Sequence, residues 1–311
     1  MNNHFTSVAV LGAGVIGASW SALFACAGLR VKVYDPMVDA EQKVRSYLAD
    51  AAPMLQQLGM QGPEGEISFH TSAKEAVKDC QFVQECAPEK LHIKHQLYAE
   101  IEAHLLPDAI VASSASGLMV SEMQAGWSNP SRFILGHPFN PPHLIPLVEL
   151  LANDKTAAGV LEQAEAFYKF VGKVTIRVQR EVPAHVANRL QAALWKEAIH
   201  LVESGVASVE DVDKAVWAGP GLRWAAMGPH MLFNLGAGEG GMAEFCNRYS
   251  DSFHRWWADL GQVNLNPSTI EKLVSGLSSE GAKPNTVELS EQRDALIVAM
   301  LKATNPLREP D

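Results

Sequence analysis

Two hydrophobic patterns divide the chain near residue 180. Before it, short continuous apolar runs alternate with longer stretches in which apolar residues recur at helical spacing. Runs bounded by turn residues predict buried strands, and the 3.6-residue recurrence predicts amphipathic helices. The strands expected are 8–11, 31–34, 67–69, 81–86, 109–113, 133–136, 145–151 and 174–178. Between them fall helices at 40–58, with Val44, Leu48, Ala51 and Leu55 on one face, and at 73–78, 91–105 and 156–170. Strands alternating with helices predict an α/β fold, a doubly wound and mostly parallel sheet. Beyond Arg180-Glu181-Val182-Pro183 the pattern is helical, at 186–204, 209–218, 242–260, 268–277 and 287–303, with a Gly-rich loop at 236–241. The expected organisation is therefore a first domain over 1–180 and a smaller all-helical domain over 181–311.

The first predicted strand runs into Gly12-Ala13-Gly14-Val15-Ile16-Gly17, then a helical run, then a second strand ending on Asp35. Strand, glycine turn, helix and strand in that order form a Rossmann-type dinucleotide-binding unit. Gly12 permits the tight turn, Gly14 lets the backbone approach a pyrophosphate, and Gly17 lets helix and strand pack closely. The N–H groups of the helix start then face the phosphates. Asp35 lies 23 residues after Gly12. A carboxylate there accepts from a ribose 2′-hydroxyl and repels a 2′-phosphate, which favours NAD over NADP.

Composition narrows the partners. Hydrophobic residues make up 47% and charged residues 19%, which describes an ordinary soluble globular protein. A net charge of -10 argues against nucleic acid and anionic membranes as partners. The apolar run at 8–29 has no basic residues of an export signal before it and three glycines in its first half, so it reads as fold, not as a membrane segment. Cys26, Cys80, Cys86 and Cys246 have no metal-ligand spacing, so no metal is expected, and they read as reduced thiols of a cytoplasmic protein.

A dinucleotide site does not say what is oxidised. One stretch offers the chemistry. Phe133-Ile134-Leu135-Gly136-His137-Pro138-Phe139-Asn140-Pro141-Pro142 leaves His137 at the mouth of a strand, and Glu149 stands among aliphatics twelve residues on. Neighbouring strands could bring the two side by side. A carboxylate on one imidazole nitrogen fixes the tautomer, and the other nitrogen can take an alcohol proton. Scattered His and Glu are more often surface groups, but an acid flanked by Val and Leu needs a buried partner. Ser116 follows a parallel strand at the carboxyl end of the sheet, where it either binds a substrate hydroxyl or serves the turn. Asn188 lies in the first helix of the second domain, either facing a cleft or solvated.

The motifs GAGVIG, SSASGL, HPFNPP with LVELL, EVPAHVANRL and GVASVEDVDKAV before GPGLRWAAMGP together span most of the chain. In them the sequence resembles the 3-hydroxyacyl-CoA dehydrogenase family. The resemblance implies an NAD-dependent 3-hydroxy acid dehydrogenase with Ser116, His137, Glu149 and Asn188 in its active site. It also implies Glu89 and Lys94 near the nicotinamide ribose, and a homodimer built on the helical domain. Ala115 and Ala184 depart from the residues usual in the family, Thr or Asn and Gly respectively.

The substrate branch is read from charge and aromatics. Residues 46–73 hold no Lys or Arg, whereas acyl-CoA members typically carry lysines there to meet CoA phosphates. Arg223 suits a free carboxylate, which a guanidinium grips bidentately. Trp195, Trp224, Phe233 and Phe139 are candidate faces for a quaternary ammonium, which has no N–H to donate; each also fits a role in core or dimer packing. The expected substrate is thus a small 3-hydroxy acid, L-carnitine, ahead of L-gulonate and 3-hydroxybutyryl-CoA. A non-catalytic NAD-binding protein is disfavoured by the intact four-residue set.

Overall fold

The computed structural model describes residues 5–60, 62, 65–279 and 287–308. Eight strands form one sheet: β1 (Ser7–Leu11), β2 (Arg30–Tyr34), β3 (Ile67–His70), β4 (Phe82–Glu85), β5 (Ile110–Ser113), β6 (Phe133–Pro138), β7 (Leu147–Leu151) and β8 (Val174–Arg177). Their spatial order is β3-β2-β1-β4-β5-β6-β7-β8, and every pair is parallel except β6 with β7. Strand order reverses direction between β1 and β4, and ligands of such sheets bind outside the carboxyl ends at that point. The central strands β4, β5 and β6 are buried along their whole length because both faces are covered, and are apolar apart from Gln84, Glu85, Ser113 and His137.

On one face pack α1 (Val15–Cys26), α2 (Ala40–Gln57) and α6 (Val160–Phe170), with Trp20, Phe24, Phe82, Phe167 and Tyr168 in the core. On the other lie α3 (Ala73–Val77), α4 (Leu91–Ile101) and α5 (Val120–Gln124), around Tyr98, Ile101, Met123, Trp127 and Phe133. The helix expected at 156–170 begins at Val160, because Gly159 sits at φ +84° and breaks the helical path. Helix α4 ends at Ile101, four residues early, and tightens into a 3-10 turn at Glu102–His104.

The chain groups into two compact units, Met1–Val186 with Glu291–Asp311, and Ala187–Ser290. The expected division at 180/181 differs from this grouping at both ends. Glu181 accepts from Ser121 N–H at 2.9 Å and Ser121 Oγ at 2.6 Å, and Val186 N–H donates to Glu149, so this stretch packs with the sheet. Most of α13 (Val287–Arg308) also groups with the first unit. The second unit holds α7 (Ala187–Glu203), α8 (Val209–Ala218), α9 (Pro220–Ala226), α10 (Pro229–Gly236), α11 (Gly241–Asp259) and α12 (Pro267–Ser279). Helices α9 and α10 were not anticipated, although Pro220 and Pro229 each stand at a first helical position, a recognised start signal. The expected 236–241 loop is a short 3-10 turn between α10 and α11. No helix among the described residues is long and apolar enough to cross a membrane.

Candidate active site

The glycine turn is shaped by what a side chain would strike. Gly12 has φ +104°, and a Cβ there would lie 2.5 Å from the Cys86 carbonyl oxygen. A Cβ on Gly17 would lie 1.7 Å from the Gly12 carbonyl oxygen, so α1 and the turn touch through bare backbone. At Gly14 a Cβ would meet nothing within 4 Å. Open space at the middle glycine, beside the free N–H groups of α1, is what an approaching pyrophosphate requires. Asp35 Oδ2 accepts from Ala13 N–H at 2.7 Å and Oδ1 from Met37 N–H at 2.8 Å, which ties the end of β2 to the turn. A carboxylate has further lone pairs for a ribose hydroxyl. These residues fit NAD.

The β6–β7 pair creates the second part of the site. Its antiparallel register sets His137 directly opposite Glu149. Directly opposed residues share a face with Cβ atoms roughly 5 Å apart, and a slip of one residue would send the two side chains to opposite faces. His137 Nδ1 lies 2.8 Å from Glu149 Oε2, both groups being buried. Glu149 Oε1 accepts from Val186 N–H at 3.0 Å. A carboxylate offers only lone pairs, so Nδ1 carries the imidazole proton and Nε2 is left as an acceptor. Ser116 Oγ donates to that Nε2 at 3.1 Å. Phe139 meets the His137 ring edge-on, centroids 5.4 Å apart.

Ser116 is held by an acidic side chain. Glu89 accepts from the backbone N–H groups of Ser116, Gly117 and Leu118, at 3.0, 2.7 and 3.2 Å, and so fixes the serine turn. Lys94 is 1% exposed and committed to Glu85 Oε1 at 2.6 Å and the Ala87 carbonyl at 3.1 Å. Glu85, 0% exposed, also accepts from Tyr98 Oη at 2.9 Å, Ser113 Oγ at 2.6 Å and Ala87 N–H at 2.7 Å. Sequence reasoning passed over Glu85, because it follows Gln84 at the end of β4 and lacks the aliphatic flanks on both sides that marked Glu149.

A second buried histidine also escaped it. The His185 ring centre lies 5.3 Å from that of His137, and its Nε2–H donates to the Ala115 carbonyl at 3.4 Å. Ala184 and His185 sit at φ +62° and +52°. The left-handed region costs a non-glycine residue about 1–2 kcal/mol. A glycine at 184 would have announced the turn; alanine concealed it. Burial, followed by the nearness of His137, lowers the His185 pKa, which keeps the ring neutral.

The other candidates lie in the second unit. Asn188 is half-buried in the first turn of α7. Arg223 and Trp224 are exposed neighbours on α9, where consecutive side chains project in different directions. Arg223 forms no ion pair among the described residues, and its guanidinium is free for an anion. Trp195 lines a cavity of about 380 Å³ with Ile199, Val212 and Leu273, between α7, α8 and α12. Phe233 lines a different one, of about 350 Å³, with Phe245, Phe253 and Trp257. Trp195 and Phe233 therefore do not share one aromatic cage.

Comparison with known proteins gives the family of the chain. The model of the 3-hydroxyacyl-CoA dehydrogenase NAD-binding domain matches residues 7–182, and that of the C-terminal domain matches residues 185–269. The L-carnitine dehydrogenase of Streptomyces coelicolor is 42% identical over 302 residues, covering 96% of this chain and 95% of its own. That of Pseudomonas aeruginosa is 38% identical over 297 residues, covering 95% and 92%. Among solved structures, 5-formyl-3-hydroxy-2-methylpyridine 4-carboxylic acid 5-dehydrogenase, an NAD+-dependent dismutase, matches with a TM-score of 0.84 at 30% identity, over 97% of this chain and 99% of that one. (S)-3-hydroxybutyryl-CoA dehydrogenase from Ralstonia eutropha matches at 0.62 and 25% identity, over 80% and 88%. The chain belongs to the 3-hydroxyacyl-CoA dehydrogenase family and is an NAD-dependent oxidoreductase.

Proposed function

From that membership we propose that the protein oxidises the 3-hydroxyl of L-carnitine to 3-dehydrocarnitine. The observation that carries the chemistry is the His137–Glu149 pair set in register across β6 and β7, with Ser116 on the outward nitrogen. Glu149 holds the proton on Nδ1, so His137 Nε2 takes the proton of the 3-hydroxyl as general base. Ser116 Oγ turns from Nε2 to the substrate oxygen, orients it and supports the carbonyl as it forms, with Asn188 as its partner in this role. NAD, when bound, accepts the hydride from C3. The alcohol thus loses a proton to His137 and a hydride to the cofactor, and His137 returns its proton to solvent.

Substrate choice rests on charge and on relatives. Residues 46–73 have no cation for CoA phosphates. Arg223 is free to grip a carboxylate. The solved relative with the 0.84 TM-score is named for a free carboxylic acid substrate, and the Streptomyces relative for carnitine. The trimethylammonium group is met by an aromatic face, worth about 0.5–2 kcal/mol per ring; Trp195 and Phe233 line separate cavities, so only one of the two serves it, with Trp224 and Phe139 the other candidates. L-Gulonate would instead need a polar partner for each hydroxyl. A homodimer is supported by the apolar side chains the second unit leaves exposed, among them Leu190, Trp195, Trp217, Leu222 and Trp256. Four free cysteines support a reducing, cytoplasmic setting.

The test is NADH formation, followed by absorbance, with L-carnitine, D-carnitine, L-gulonate and 3-hydroxybutyryl-CoA side by side. Turnover of L-carnitine alone is expected. Preference for gulonate or the CoA ester would keep the dyad and overturn the substrate; silence with all four would overturn the reading. Arg223→Leu should raise KM for L-carnitine far more than KM for NAD, and equal effects would remove the carboxylate clamp.

A further inference from the structure

The turn between β8 and α7 touches both dyad residues and the backbone just before Ser116. Val186 N–H donates to Glu149 Oε1 at 3.0 Å, the His185 ring lies against His137, and His185 Nε2 reaches the carbonyl of Ala115, the residue before Ser116. We propose that His185 is a positioning residue that sets the angle of the His137 ring and the placement of Ser116 against one reacting hydroxyl.

Three features carry this. First, the ring is buried: His185 is 1% exposed, and its Nδ1 meets no protein partner among the described residues. An apolar ring would fill the same space without a buried lone pair, so the bond from Nε2 to the Ala115 carbonyl is what distinguishes an imidazole here. Second, the backbone is held in an uncommon conformation to put the ring there. Two successive non-glycine residues at φ +62° and +52° persist because His185 N–H bonds the Val182 carbonyl at 3.2 Å and Val186 N–H bonds Glu149. Strain at such a position points to a role beside the chemistry. Third, the Ser116 turn is gripped from both sides, by Glu89 on its N–H groups and by His185 on the Ala115 carbonyl. With both grips in place, Ser116 Oγ stands 3.1 Å from His137 Nε2. The titratable groups facing His185 are His137 on β6, Glu149 on β7 and Glu89 ahead of α4, and next to them the ring stays neutral. It therefore orients the base without placing a positive charge beside it.

This inference rests on reading the dyad as the dehydrogenase centre, and its test has a readout that does not depend on the substrate. Three variants separate shape from hydrogen bonding: His185→Phe keeps a planar ring, His185→Gln keeps a donor of similar reach, and His185→Asn keeps a donor too short for Ala115. The measurements on each full-length variant are kcat and KM with L-carnitine, NADH affinity by fluorescence, thermal midpoint, and ¹⁵N NMR of the His137 imidazole. His185→Phe and His185→Asn should each lower kcat about tenfold or more with NADH affinity unchanged, and His185→Gln should recover most of it. In NMR, the single Nδ1–H tautomer of His137 should give way to a tautomer mixture in the Phe and Asn variants and return in Gln. Wild-type kcat with one fixed tautomer in His185→Phe would overturn the proposal. So would losses in all three variants that track the thermal midpoint, since that is simple packing. If His185→Phe does not fold, the Gln and Asn pair decides. If the wild type ignores L-carnitine, the substrate reading fails while the NMR comparison still judges His185.

Discussion

Glu149→Gln removes one oxygen's charge and lone pairs while keeping the shape, and the site permits its effect to be worked out. Glu149 is 0% exposed, and among the donors its two oxygens accept from are His137 Nδ1 at 2.8 Å and Val186 N at 3.0 Å. A glutamine has one acceptor and one donor end. With its oxygen toward His137, its NH₂ would point at the Val186 N–H, leaving a half-buried backbone donor unpaired at about 1–3 kcal/mol. With its oxygen toward Val186, its NH₂ donates to Nδ1 and the imidazole proton moves to Nε2. The second arrangement keeps the Val186 N–H paired, so it prevails, and it puts a proton where the base needs a lone pair. An Asp→Asn change that imposes the wrong tautomer in a serine protease lowers kcat about 10⁴-fold, and general base catalysis contributes about 10²–10⁴. The expected result is a kcat lower by about 10²–10⁴, with NAD affinity unchanged. Stability should fall little, because losing a charge-assisted bond worth about 1.5–3 kcal/mol is offset by no longer burying a charge. The assay is steady-state NADH formation with L-carnitine, beside NADH fluorescence titration and a thermal melt. A kcat within about threefold of wild type would refute the dyad. A fall in activity matched by lost NADH binding would refute the tautomer argument.

Three further outcomes follow from single contacts. Gly17→Ala should open the glycine turn, lowering both the thermal midpoint and NAD affinity, because its Cβ lies 1.7 Å from the Gly12 oxygen; Gly14→Ala, with nothing within 4 Å, should spare the midpoint and weaken only NAD. Equal melting behaviour of the two would contradict this. Lys94→Met strands Glu85 in the core at about 3–5 kcal/mol, a fall of roughly 6–20 °C for a domain of this size; pairing it with Glu85→Leu should recover part, and a single variant that melts like wild type would remove the buried pair from the account. His143, buried beside Ser19 and Tyr47, has its pKa pushed down by burial to about 4, from the 6.5 of an ordinary imidazole. Between those values the unfolded chain binds a proton that the folded chain refuses. Its contribution is fully present above about pH 6.5 and is lost as pH falls toward about 4, about 3 kcal/mol in all. Urea unfolding of wild type and His143→Gln at neutral and acidic pH reads this directly, and equal acid sensitivity of the two would exclude it.

Much of the site was legible because its parts are local. The order of strand, Gly12-Ala13-Gly14, helix and Asp35 is dictated by steric freedom and helix-end hydrogen bonding within one continuous stretch, so composition at fixed spacing reveals it. Glu149 was legible for a different reason: an acid between aliphatics on a strand must be buried, and burial demands a partner. Asn188, Arg223 and the Trp residues could be named by type and position in the chain alone. The separate cavities of Trp195 and Phe233 depend on which helices pack together, and apolar spacing on one helix does not choose its neighbour.

What the sequence by itself determined is thus the run of strands and the longer helices, the dinucleotide turn and the identity of the two dyad residues, since each follows from short-range stereochemistry or from the cost of burying a charge. Only the tertiary structure decided that β7 turns antiparallel to β6. That reversal sets His137 opposite Glu149, whereas a one-residue slip in pairing would have parted them. It also decided that Glu85 closes on Lys94 across nine residues, that Glu89 holds the Ser116 turn, and that two left-handed residues swing His185 against the base. Each of these is a contact between segments distant in sequence or a backbone conformation that its residue types disfavour. Local propensity is silent about such features, and packing of the whole sheet enforces them.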